Sequence, residues 1–89
     1  MVFALNNYDS DVDNIIDLHG LRSDEAHTLI VMSIINAEIK KYYSIGFTTG
    51  KGTGALRTVL LDYLENEEYD YSYVDDKSMY IVYMKDFDQ

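Results

Sequence analysis

Twice along this 89-residue chain a short apolar run stops at a glycine-containing turn and a helix-like pattern takes over. The first turn is Asp-Leu-His-Gly at 17–20, and the second is Thr-Gly-Lys-Gly-Thr-Gly at 49–54. A strand, a turn and a helix repeated in this way predict a parallel β-α-β unit. Its two strand exits lie side by side on one edge of the sheet. A carboxylate, an imidazole and a loop of bare backbone amides then converge on one spot, an arrangement suited to holding and attacking a phosphodiester.

The rest of the chain fits that frame. Residues 14–18 read as a short buried strand built on Ile15, Ile16 and Leu18, ended by Gly20. Ser23 suits an N-cap, and Asp24 and Glu25 suit the first helical turn, where the dipole favours anions. The first helix is expected to run to about Lys41. One face carries Ala26, Leu29, Ile30, Ser33 and Ala37 toward the sheet. The opposite face is apolar too, with Val31, Met32, Ile35 and Ile39. A helix apolar on two sides wants two partners, and a second copy of the chain docked by two-fold symmetry would hide the outer stripe.

Residues 42–49 read as a second strand and 55–66 as a second helix, striped by Leu56, Val59, Leu60, Tyr63 and Leu64. Residues 69–74 alternate tyrosine with polar groups, and 78–84 are apolar and aromatic, so the last two strands form a hairpin. The expected fold class is α/β, an α+β two-layer sandwich of order β-α-β-α-β-β. It has a four-stranded mixed sheet with both helices on one face.

Size allows one domain, expected over 14–89, preceded by a loose arm over 1–13 in which Val2, Phe3 and Leu5 are able to dock on the body. A domain this small has a thin core. The chain has no cysteine, which removes disulfides, thiolate zinc sites and cysteine nucleophiles and fits a reducing compartment. No window approaches the ~20 apolar residues of a bilayer span, and the first 13 residues do not resemble a signal peptide. The expectation is a soluble cytoplasmic protein with no membrane partner.

Sixteen acidic residues against seven basic give a net charge of −9, the wrong sign for long-range attraction to nucleic acid. Three of the basic residues, Arg22, Lys51 and Arg57, flank the two turns. They make a local positive patch, or else are ordinary solvated side chains. Any nucleic acid held there is held weakly and lost steeply with salt.

The glycine turn is not a P-loop, because only three residues separate Gly46 from Gly50 and Gly52 follows Lys51. It fits the loose dinucleotide fingerprint, with Asp70 near the place of the ribose-binding acid, yet the chain has strands for only one mononucleotide half. What remains is a nest of amides at a helix N-terminus, either an anion site or a tight turn without a ligand. Asp17 and His19 are two apart and share a strand face. His19 then serves as general acid or base with Asp17 as its partner, or both are satisfied strand-end polar residues. Two such ligands are too few for a structural metal, with His27 turned away on the helix, which leaves at most a loosely held Mg²⁺ sharing Asp17 with a phosphate. Tyr69, Tyr71 and Tyr73 share one strand face with Tyr80 or Tyr83 beside them, as base-stacking rings or as cover for apolar surface.

Together, Asp-Leu-His-Gly-Leu-Arg, Ser-x-Glu-Ala opening a helix, and Thr-Gly-Lys-Gly-Thr-Gly-Ala-Leu-Arg resemble the small MutS-related (Smr) domain over residues 15–84. Members occur alone or as the C-terminal module of bacterial MutS paralogues. The resemblance implies a fold like the C-terminal domain of translation initiation factor three. It also implies binding of DNA or RNA and, in several members, endonuclease cleavage with or without a metal. By position, Asp17 and His19 match the family's Asp-x-His motif, and Gly50, Lys51, Gly52 and Gly54 its glycine loop. Arg57 matches a basic residue just inside the second helix, while Thr49 stands where many bacterial members place a second histidine. The expected nucleic-acid contacts are Gly20, Arg22, Thr49, Gly50, Lys51, Gly52, Thr53, Gly54 and Arg57. The functions expected are a nicking endonuclease or, as the alternative, a binding module that self-associates through the first helix.

Overall fold

The β-α-β pattern folds as its two punctuated turns dictate. The structure is a computed structural model that describes residues 12–50 and 54–85. In chain order the elements are β1 (Ile15–Asp17), α1 (Ser23–Ile39), β2 (Ser44–Thr48), α2 (Ala55–Asn66), β3 (Asp70–Val74), a 3-10 turn (Asp75–Lys77) and β4 (Met79–Tyr83). The sheet order is β1-β2-β4-β3. β1 and β2 are parallel, with Asp17 opposite Thr48, while β4 runs antiparallel to both of its neighbours. A parallel pair needs a crossover connection, which α1 supplies. The hairpin then places β4 between β2 and β3, making the sheet mixed.

Both helices cover one face of the sheet. Leu18, just past β1, and Phe47 and Val82 of the strands meet Ile30 and Ile34 of α1 and Leu60 and Leu64 of α2 in one cluster, each essentially free of solvent. Burying a side chain of this size contributes about 1.5–3 kcal/mol, so these few residues dominate the stability of a small domain. On the other face Met79 and Ile81 pack with Val12, and the Met79 side chain lies across Gly46, where a Cβ would stand 2.4 Å from its sulfur.

Several details depart from the sequence expectation. The sheet-facing stripe of α1 is Ala26, Ile30, Ile34 and Ala37, with Ile34 buried and Ser33 only half-buried. Ser33 lies one position off the stripe, and the larger Ile34 gains more from burial. Ser23 is the first helical residue and not the cap. The cap is Arg22, whose backbone N–H donates to the Glu25 carboxylate at 2.9 Å. α1 ends at Ile39, since Lys41 turns left-handed (φ 63°) and the Tyr42 N–H closes back on the Ala37 carbonyl at 2.9 Å. Val12 and Asp13 already belong to the body. The Asp13 N–H donates to Ser44 O at 2.9 Å, and its carboxylate accepts the Tyr43 N–H at 2.7 Å. The rest of the expected arm, with Val2, Phe3 and Leu5, lies outside the described residues.

The outer stripe of α1 stays open. Met32, Ile35 and Ile39 are 61%, 50% and 73% exposed, and Val31 is half-buried. No helix among the described residues is long and apolar enough to cross a membrane.

Candidate functional site

The first strand-to-helix turn is wired by its own side chains. One oxygen of Asp17 accepts the His19 backbone N–H at 3.0 Å and the Thr48 hydroxyl at 3.0 Å. These two donors, the His19 amide foremost, hold the Asp17 carboxyl below its ordinary value of 3.8. Its other oxygen lies 3.4 Å from His19 Nδ1. A carboxylate there favours the tautomer with the proton on Nδ1, which leaves Nε2 as the reactive nitrogen. The chain turns at Gly20 (φ 83°). Arg22 then pairs with Asp24, Nη2 to Oδ2 at 3.1 Å, and this pairing lowers the Asp24 carboxyl in turn.

The second turn comes close to the first because β1 and β2 are neighbours. Gly50 (φ 75°) lies against the histidine, and a Cβ built on it would stand 2.9 Å from His19 Cβ. Only a residue without a side chain fits there. Gly54 (φ 87°) caps α2, and the Arg57 guanidinium folds back toward it, 3.8 Å from where a Gly54 Cβ would be. Arg57 makes no hydrogen bond or ion pair among the described residues. The Thr49 hydroxyl donates to the Gly50 carbonyl at 3.3 Å.

These two turns form one cleft of about 700 Å³. His19, Gly20, Arg22, Thr49, Gly50, Gly54 and Arg57 all line it, so seven of the eleven expected catalytic and binding residues meet in one place. Asp17 does not line it but stands behind His19. Lys51, Gly52 and Thr53 lie outside the described residues. The cleft also takes in Tyr73 and Tyr80, which strand alternation grouped together without placing them at the site. Thr48, which orients Asp17, belongs to neither motif, and its only sequence signal was its position at the end of β2.

A family model described as the Smr domain matches residues 16–79, spanning both turns, both helices and the hairpin to the start of β4. The chain belongs to the Smr domain family. It is 33% identical over 66 residues to the endonuclease MutS2 of Listeria welshimeri and 32% identical over 66 residues to that of Listeria innocua. Each match covers 74% of this chain but only 8% of the relative, so the chain corresponds to a small part of those proteins. The crystal structure of the Smr domain of Thermus thermophilus MutS2 superposes with a TM-score of 0.75 at 22% identity, covering 81% of this chain and 98% of that one. This likeness fixes the Smr fold.

Among the described residues of this Smr domain no three His, Cys, Asp or Glu side chains gather as metal ligands. The donors at the cleft are one carboxylate, with one oxygen already accepting two hydrogen bonds, and one imidazole. A Mg²⁺ held there would take its remaining oxygen ligands from a phosphate and water.

Proposed function

We propose that this Smr domain grips a nucleic-acid phosphodiester in the cleft and cleaves it, acting as a nicking endonuclease. The observation that carries this is the placement of His19, with a carboxylate behind its ring, in the wall that Arg57 and the glycine turn share. His19 takes a proton from the attacking oxygen or delivers one to the leaving oxygen. Asp17 holds the ring's tautomer and stabilises its cation. Arg57 and the positive end of the α2 dipole face the negative charge that builds on the phosphate. The endonuclease named in the Listeria relatives is an activity of proteins far longer than this chain.

The test is a nicking assay on DNA and RNA strands, with and without Mg²⁺, comparing wild type with His19→Ala. General acid–base catalysis is worth about 10²–10⁴-fold, so the variant should lose at least 100-fold while its phosphate binding persists. Equal rates would remove His19 from the chemistry.

A binding-only role is the second reading, favoured by the exposed Met32, Ile35 and Ile39 stripe on α1. In that case the cleft holds phosphate without cutting, and two copies dock through α1. Sedimentation of wild type against Ile35→Glu tests it, with a dimer expected only for wild type.

A further inference from the structure

We infer that the cleft holds an unpaired nucleobase against Tyr73, so that its substrate is single-stranded nucleic acid and not an intact duplex. This rests on the reading of the cleft as a phosphodiester site and goes beyond it by naming the form of the substrate.

Three tyrosines follow one another on the helix side of the hairpin, and the structure treats them differently. The Tyr69 hydroxyl donates to Glu38 and the Tyr71 hydroxyl to Glu65, and both rings pack on the core. Those two cover apolar surface. Tyr73 lies nearest the cleft, and its hydroxyl has no hydrogen bond among the described residues. It is 49% exposed in the cleft wall. Behind it, Tyr80 is 8% exposed, with ring centroids 4.7 Å apart and planes tilted by 46°. A buried ring therefore braces a half-exposed one, which lowers the entropy lost when a flat ligand settles on it.

Size and charge point the same way. A cleft of about 700 Å³ falls within the roughly 300–1,000 Å³ that holds small organic ligands, far more than a phosphate group needs. A body carrying −9 repels the long run of phosphates on a duplex, so affinity has to come from short-range contacts that net charge does not oppose. Stacking is such a contact, and it is available only where a base is not already stacked in a helix.

The experiment measures binding of short strands to the whole chain by fluorescence anisotropy. The ligands are a single-stranded trinucleotide, the same backbone without bases, a blunt duplex and inorganic phosphate, the strands being made as both RNA and DNA. Wild type is expected to bind the base-bearing strand about tenfold tighter than the abasic one, and more tightly than the duplex. Tyr73→Leu should erase that difference while leaving phosphate and abasic binding unchanged, and Tyr73→Trp should keep it. Base-bearing strands that bind Tyr73→Leu as well as wild type, or a duplex that competes equally, would overturn the inference. Loss of phosphate and abasic binding alone, with Tyr73-dependent binding of bases intact, would leave the stacking site standing and remove the phosphate reading.

Discussion

The two strand-to-helix turns occupy equivalent places in the fold, yet they are built on opposite plans. The first is closed on itself. Asp17 binds the His19 amide and the Thr48 hydroxyl, Glu25 binds the Arg22 amide, and Asp24 engages the Arg22 guanidinium. The second has no carboxylate or imidazole among its described residues. Gly54 caps α2 without a side-chain bond, Gly50 offers bare backbone, and Arg57 is without a partner among the described residues. A turn whose donors are already satisfied fixes geometry, while an unpaired guanidinium such as that of Arg57 can take a ligand. Under the proposed function this becomes a division of labour, one turn aiming the imidazole and the other receiving the anion.

The widest separation between the turns should come from matched glycine substitutions. Gly20→Ala and Gly50→Ala both force alanine into a left-handed conformation, at about 1–2 kcal/mol each. Nothing lies within 4 Å of a Cβ at Gly20, whereas one at Gly50 stands 2.9 Å from His19 Cβ. Thermal melting should therefore fall in both, while nicking drops about 100-fold only in Gly50→Ala, as displacing a reacting group by about 1 Å can do. Equal activity in the two variants breaks the comparison.

Removing charge should separate them next. Arg57→Ala is expected to lower the salt slope of strand binding by about 1 and weaken binding uniformly across sequences. Arg22→Ala should do much less, because Asp24 already holds that guanidinium. Binding isotherms at several salt concentrations read both, and matching slopes would mean that Arg22 also meets the ligand.

A smaller effect belongs to the closed turn alone. Glu25→Ala leaves the Arg22 amide without its carboxylate and should cost about 1 kcal/mol in denaturant unfolding. Phosphate affinity should not change.

The least effect is in acid. Asp17 and Asp24 both have lowered folded values against an ordinary 3.8. The stability they add is present above that value and is lost as pH falls through the lower folded ones. The His19 amide should follow with a midpoint below 3.8 in an NMR titration, while the Gly50 and Gly54 amides stay still. A midpoint at or above 3.8 would contradict the hydrogen bond to Asp17.

How far the chain could be read depended on whether a feature was local. α2 spans the expected 55–66, and the element order and the meeting of the two turns followed from apolar runs and glycines. The cap of α1 was misplaced because Ser23 and Glu25 compete for the same terminus, and only the backbone shows which carbonyl starts the helix. Ile34 was missed because α1 is apolar nearly all round, so periodicity could not choose its inner face. The tyrosines were the hardest. Tyr69, Tyr71 and Tyr73 have identical alternation, and what separates them is how far each one stands from the cleft. That is a distance no spacing records.

Gly50 lies directly against the base of the His19 side chain, with no room between them for another group. On the proposed reading, a strand that displaces Gly50 also presses on the base of the His19 side chain. Arrival of a strand should thus be legible in the ring resonances of one histidine before any bond is cut.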